Sequence, residues 1–216
     1  MSQPLTADQL LRAYALGVFP MARQHDDPRL YWVDPEKRGI LPLDQFHLPR
    51  SLKKTLRRQT FDLRLDTAFE QVMTLCAEST ARRPETWING EIFRLFTELH
   101  HAGLAHSIES WQGDRLVGGL YGLSMGSAFF GESMFSRATD ASKAALTYLV
   151  GVLKKGGYTL LDTQFVTDHL AQFGTIEVPR RDYLRHLARA LESRALFQGG
   201  IGTEELIALV SSTSGG

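Results

Sequence analysis

Apolar residues recur every three to four positions in some stretches of the chain and every second position in others, and that difference predicts which stretches are helices and which are strands. Leu10, Ala13 and Tyr14 share one face of residues 6–17, with Thr6 placed to cap a helix and Gly17 to end it. Helices are also predicted over residues 49–58, 67–79 and 90–102, the last with Ile92, Leu95, Phe96 and Leu99 on one side. Further helices are expected over 140–155, 166–173 and 179–192, with a short one over 203–210. Strands are expected over 30–33, 61–65, 106–111, 115–123, 127–132 and 158–162, and Gln112-Gly113-Asp114 turns the second long strand back on the first. The stretch around Phe19-Pro20, Asp26-Asp27-Pro28 and Asp34-Pro35 reads as a loop rich in turn formers. The order of elements is mixed α and β, an antiparallel meander flanked by helices, without the regular βα alternation of a doubly wound sheet. A small N-terminal domain is expected over residues 1–38, a larger catalytic domain over 39–197, and a flexible Gly- and Ser-rich tail over 198–216.

Composition narrows the class without fixing the function. A chain of 216 residues can bury a core without crosslinks, and its single cysteine, Cys76, excludes an intramolecular disulfide. The first residues are polar and no apolar run reaches the length of a membrane span, so a cytoplasmic, membrane-free protein is expected, as a monomer. Lys+Arg and Asp+Glu both number 24, so any contact with nucleic acid is expected from a local patch rather than from overall charge. Such a patch is visible: Arg50, Lys53, Lys54, Arg57 and Arg58 fall on one face of a helix, with no acidic residue between Arg50 and Thr60. It reads either as a solvated face or as a phosphate-binding stripe.

Three short stretches carry candidate chemistry. In a regular strand Glu132 shares a face with Phe130 and Met134, so it is either a paired core carboxylate or an acidic site residue suited to a cationic substrate. Asp162 and Gln164 are two apart at a strand end; they read either as a helix cap with a surface amide or as a carboxylate holding an amide that accepts a hydrogen bond. Leu146, Leu149 and Leu153 form one stripe of a helix, which periodicity alone assigns to core. Tyr14, Phe19, Tyr31, Trp32 and Trp87 are core aromatics or rings that stack on a base. The histidines show no metal-ligand spacing, and there is no P-loop, dinucleotide fingerprint or nucleophile elbow.

Taken together, Gly17-Val18-Phe19-Pro20, Thr86-Trp87-Ile88, GLAHSIE from Gly103, VGGLYG from Val117, GESMFSR from Gly131, Ala141-Ser142-Lys143, Asp162-Thr163-Gln164 with Asp168-His169, and EVPRRDY from Glu177 resemble the bacterial leucyl/phenylalanyl-tRNA–protein transferases over residues 5–190. The resemblance implies an acetyltransferase-like (GNAT) fold behind a small N-terminal domain. It implies transfer of Leu or Phe from aminoacyl-tRNA to the α-amine of proteins beginning with Arg or Lys, which marks them for degradation, with neither metal nor cofactor. By the same resemblance Asp162 and Gln164 are catalytic, Glu132 faces the incoming basic N-terminus, and Trp87, Leu120, Phe129, Met134, Leu146, Leu149, Leu153 and Leu161 line the substrate pocket. Arg50, Lys53, Lys54, Arg57 and Arg58, with Tyr14 and Met21, are the expected tRNA contacts. The chain departs from the pattern at Met21, where the family has Trp, at Thr167, where it has Asn, and beyond residue 197. Two alternatives share parts of the pattern: a GNAT-fold N-acyltransferase using an acyl thioester, and a non-catalytic RNA-binding module. The segment from Arg137 to Asp140 lacks the glycine run a thioester's pyrophosphate would use, and an RNA module leaves GESMFSR and Asp162-Thr163-Gln164 without a role.

Overall fold

The computed structural model describes residues 5–79 and 85–212. Helix α1 (Ala7–Ala15) is closed at its start by a capping box between Thr6 and Gln9. It leads into an antiparallel hairpin of β1 (Phe19–Ala22) and β2 (Leu30–Val33). The next strand, β3 (Lys37–Ile40), joins the main sheet, so the expected domain boundary near residue 38 falls inside a strand. After a 3-10 turn at Leu43–Gln45 come α2 (Arg50–Arg57), β4 (Asp62–Leu65), α3 (Phe69–Ala77) and α4 (Gly90–His101). The meander follows as β5 (Ala105–Gln112), β6 (Arg115–Met125) and β7 (Ala128–Ser136), then α5 (Ala141–Gly156), β8 (Leu160–Gln164), α6 (Asp168–Ala171), β9 (Ile176–Pro179), α7 (Arg180–Glu192) and α8 (Thr203–Ser211).

The fold is α+β, with helices on both faces of a mostly antiparallel seven-stranded sheet ordered β4-β5-β6-β7-β8-β3-β9. Leucines of α2 and the apolar faces of α5 and α8 pack on one side, around Leu52, Leu56, Leu149, Val152 and Leu206. Helices α1, α3, α4 and α7 cover the other, around Leu10, Tyr14, Met73, Phe96 and Leu187. Among the described strands only β7 and β8 are parallel neighbours, and they pair over three positions, ending at Phe130 opposite Asp162. Beyond that point both strands continue without each other, which opens a cleft in the middle of the sheet.

Two bulges shape that cleft. Between β6 and β7 the partners step from Gly122–Gly131 to Tyr121–Ser133, so Glu132 is the extra, unpaired residue. A bulge reverses the alternation of faces, and Phe130 accordingly belongs to the α1 side of the sheet while Met134 packs on the α5 side. The expected common face of Phe130, Glu132 and Met134 is therefore corrected. Between β3 and β8 the partners step from Ile40–Asp162 to Gly39–Gln164, leaving Thr163 as the extra residue. The β3 backbone lies so close to this second bulge that a Cβ on Gly39 would sit 2.6 Å from the Phe165 carbonyl carbon and 2.9 Å from the Thr163 hydroxyl. Only glycine fits there.

The C-terminal stretch differs from expectation. The helix expected over 203–210 is present as α8, but instead of lying in a flexible tail it buries Leu206, Ile207 and Val210 against α5, and Phe197 just before the tail stacks on His106 and Phe129. Residues 213–216 of the expected tail lie outside the described residues. Strands β1, β3 and β9 carry a proline or a glycine in four residues each, which is why their sequences show no strand pattern.

Candidate functional site

The cleft between the diverging ends of β7 and β8 widens into a cavity of about 430 Å3. Its deeper wall is apolar: Leu120 from β6, Met134 from β7, Leu146 and Leu149 from α5, and Leu161 from β8. Helix α5 approaches closely because Gly118 has no side chain; a Cβ there would meet the Cβ of Ala141 at 2.5 Å. Phe19 and Met21 of β1, Trp87, Tyr121, Phe135, Phe165 and Leu170 add to the hydrophobic lining, and Phe165 is 46% exposed. The polar lining includes Glu132 and Gln164, one from each diverging strand.

Those two side chains meet across the gap. The Gln164 amide Nε2 donates to Glu132 Oε1 at 3.0 Å, which leaves the amide oxygen as the acceptor. Glu132 is only 8% exposed and sits among Tyr14, Tyr121 and the apolar lining. Burial in that setting raises its carboxyl to about 8, with the nearby Asp162 charge acting in the same direction, while contacts with Tyr14, Arg38 and Gln164 pull it back. Burial and the Glu132 charge in turn push the Tyr14 phenol well above its ordinary value.

Asp162 stands behind this pair. It has no solvent exposure and is held by Arg38, itself 1% exposed: Arg38 Nε donates to Oδ1 and Oδ2 at 3.0 and 3.1 Å, and Nη2 to Oδ2 at 2.7 Å. Tyr183 Oη donates to Oδ2 at 2.6 Å, and the Gln164 backbone N–H to Oδ1 at 2.8 Å. Gln164 has φ +57°, in the left-handed region that disfavours a side chain, and the Asp162 hydrogen bond holds its backbone there. The carboxylate that orients the Gln164 amide is thus Glu132, whereas Asp162 fixes the Gln164 main chain. The expected direct hold of Asp162 on the amide is corrected in this way. Asp162 is not a helix cap either, since α6 is capped by the Thr167 hydroxyl.

The Arg38 guanidinium lies between two rings, 4.4 Å from the Phe19 centroid and 4.6 Å from that of Tyr183, and its Nη1 donates to the Gly17 carbonyl at 2.9 Å. One buried cation therefore ties the turn after α1, β1, β8 and α7 together behind the site. Sequence reasoning missed it, because Lys37-Arg38 before a glycine looks like a surface pair. The signal lay elsewhere: the Gly17-Val18-Phe19-Pro20 and EVPRRDY blocks contribute Gly17, Phe19 and Tyr183, all of which touch Arg38. His169 also lines the cavity, and burial together with the Lys143 charge holds its imidazole below the usual range.

The remaining expected residues divide. Trp87, Leu120, Met134, Leu146, Leu149, Leu161 and Met21 line the cavity. Phe129 and Leu153 do not; both are fully buried in the layer behind it. Tyr14, expected at the tRNA, has no exposed surface and packs edge-on to Phe96 and Phe130, so it offers no ring to a nucleotide. Arg50, Lys54, Arg57 and Arg58 are exposed and Lys53 is partly so, and none of the five lines the cavity. The stripe is also less bare than its own segment suggests, because α8 brings Glu204 to within 3.3 Å of Arg57. Among the described residues no group of histidine, cysteine and carboxylate side chains could hold a metal ion, and no helix is long and apolar enough to cross a membrane.

A profile of the leucyl/phenylalanyl-tRNA protein transferase family matches residues 40–188, and a profile of that family's N-terminal domain matches residues 3–36. The leucyl/phenylalanyl-tRNA–protein transferase of Paramagnetospirillum magneticum is 63% identical over 96% of this chain and 100% of its own length. The Rhodospirillum rubrum protein of the same name is 54% identical over 98% of each chain. Among solved structures, that of L-PGS from Bacillus licheniformis is a distant match, 14% identical with a TM-score of 0.40 over 76% of this chain and 55% of that one.

Proposed function

The chain belongs to the leucyl/phenylalanyl-tRNA–protein transferase family and is an aminoacyltransferase acting from tRNA to protein, and we propose that it moves Leu or Phe to the α-amine of proteins that begin with Arg or Lys. The observation that carries this reading is the Gln164–Glu132 pair in the wall of a largely apolar cavity, where the two parallel strands separate. A cavity lined by Leu120, Met134, Leu146, Leu149 and Leu161 suits an unbranched-at-Cβ apolar side chain such as Leu or Phe. The ester bond of the donor is already activated, so orientation of the amine dominates, and orientation can supply about 7–11 kcal/mol.

In this reading the Gln164 amide oxygen accepts a hydrogen bond from the attacking amine, Glu132 supplies the acidic group toward the acceptor's cationic end, and Asp162 with Arg38 keeps Gln164 in place. Met21 and the α2 cations contact the tRNA, Trp87 belongs to the substrate pocket, and the enzyme, monomeric and cytoplasmic, marks the modified protein for degradation. A boundary near residue 38 is supported by the two separate profile matches. An acetyltransferase-like arrangement is supported by the one splayed parallel pair in an otherwise antiparallel sheet.

The test is a peptide panel. Leu-tRNA or Phe-tRNA is incubated with the protein and with peptides that differ only at the first residue, and products are weighed by mass spectrometry. The expected result is addition of one Leu or Phe to peptides starting with Arg or Lys and none to those starting with Glu or Gly. Equal modification of all four would refute the acceptor assignment.

A further inference from the structure

The network at the cleft contains two carboxylates, and only one of them can meet a substrate. Asp162 has both oxygens occupied by Arg38, Tyr183 and the Gln164 backbone, has no exposed surface, and is absent from the cavity wall. Glu132 lines the cavity, one hydrogen bond from the amide proposed to hold the attacking nitrogen. Its position follows from the bulge in β7, which removes it from the strand ladder and turns it toward the gap. We propose that Glu132 is a catalytic residue, the group that takes the proton from the incoming α-ammonium while Gln164 holds the nitrogen. This rests on the transferase reading above and gives Glu132 a more specific task than attracting positive charge.

In that step the Glu132 carboxylate accepts one proton from R–NH3+, which frees the nitrogen lone pair. That pair attacks the ester carbonyl carbon of the donor, the C–N bond forms, and the C–O bond to the terminal ribose breaks. The ribose oxygen leaves with the electron pair and receives a second proton from the nitrogen. Glu132 then returns its proton to water, so ester and ammonium become amide, alcohol and one released proton.

The surroundings suit that role. The groups facing Glu132 are Tyr14 from α1, Arg38 from β3, Tyr121 from β6, Asp162 and Gln164 from β8, and Tyr183 from α7. The Arg38 and Asp162 charges offset each other in one buried pair, the Tyr14 and Tyr183 phenols are pushed up by burial, and His169, on the same cavity, is held below its usual range, so the Glu132 carboxyl is placed to exchange a proton near neutrality. Burial lifts the Glu132 carboxyl to about 8. An α-amine titrates at about 7.7–8.0, in the same range, so the two groups can exchange a proton near neutral pH.

The deciding experiment is the pH dependence of kcat/KM between pH 6 and 9, using Leu-tRNA and an Arg-starting peptide with wild type and Glu132→Gln, donor hydrolysis being followed in the same tube. The productive pair carries one shared proton. Wild type is therefore expected to show a bell with its maximum near pH 8, falling on both sides. Glu132→Gln is expected to be slower on the order of a hundredfold near pH 7.5. Its profile should rise with the neutral amine and then level, with no alkaline fall. If Glu132 only reads the guanidinium of the acceptor, wild-type rates rise and level up to pH 9, and that result overturns the proposal even if the variant fails to fold. Transfer with the same profile in both proteins overturns it as well. No transfer by wild type at any pH would overturn the transferase reading, and the assignment with it.

Discussion

Charge at position 162 is sealed behind the cavity, and its partner is equally buried. Replacing Asp162 by Asn leaves the Arg38 guanidinium among Phe19, Tyr183 and the Gly17 carbonyl without a countercharge. Breaking such a pair costs about 3–5 kcal/mol, so Asp162→Asn is predicted to lower the melting temperature by many degrees as well as to slow transfer. A melting curve like wild type's would show that Arg38 finds another partner. Glu132 makes the opposite contribution. Its folded pKa of about 8 lies above the unfolded value near 4.5, so the folded state binds the extra proton. Stability is greatest below about pH 4.5 as far as this group is concerned and is lost as pH rises toward 8, with a slope of at most about 1.4 kcal/mol per pH unit. Glu132→Gln is predicted to flatten that decline in denaturant melts taken at pH 5, 6, 7 and 8; an unchanged slope would mean that the carboxyl is ionised throughout. None of this was legible from residue spacing. The sequence pattern marked Glu132, Asp162 and Gln164, but which carboxylate holds the amide depends on two bulges that leave no trace in hydrophobic periodicity.

Among the elements, the long ones were readable, and of the four-residue strands β2 and β4 were, whereas β1, β3 and β9 were not. Helices α4, α5 and α7 and strands β5 to β7 have enough repeats to show their period, and α1 announces its start through Thr6 and Gln9. Strands β1, β3 and β9 have four residues each and owe their conformation to neighbours, with β3 accepted into the sheet by Asp162, Gln164 and β9. Helix α5 stands at the cavity through Leu146 and Leu149, whereas Leu153 lies one turn too far along to reach it. Leu149→Trp is predicted to reduce Phe transfer more than Leu transfer, by about 10- to 200-fold in their ratio. Equal losses in a folded protein would place the donor side chain elsewhere. None of the α2 cations lines the cavity, so the test of the stripe is separate from that of the pocket. Reversing Lys53, Lys54 and Arg57 to Glu is predicted to weaken tRNA binding and to reduce the log–log salt slope by about 0.7–0.9 for each phosphate that is no longer neutralised. The Arg57 share should be the smallest, because Glu204 already pairs with it. A salt slope unchanged from wild type would leave α2 a solvated face.

At the scale of the whole molecule, two cores meet where the sheet opens. The α5 side supplies the apolar pocket and the α1 side supplies the buried charges, so residues far apart in sequence, from Gly17 to Tyr183, converge on one gap between β7 and β8. The helix that closes the first core, α8, lies beyond the region of family resemblance; its helical pattern was legible over 203–210, but its Gly- and Ser-rich flanks concealed that it packs into the core. Leu206 is 2% exposed and packs where Gly151 leaves α5 without a side chain. Leu206→Ala is predicted to cost about 2–5 kcal/mol, read by denaturant unfolding, and a loss below about 1 kcal/mol would mean that α8 is only loosely attached. The central claim is that transfer occurs in this cleft under Gln164. Its most direct test is Gln164→Ala, followed by single-turnover transfer of Phe from Phe-tRNA to an Arg-starting peptide, alongside equilibrium binding of the same Phe-tRNA. The account predicts binding within a few-fold of wild type and a transfer rate reduced on the order of a hundredfold, the mark of an interaction made in the transition state. Transfer at the wild-type rate by the folded variant would contradict it.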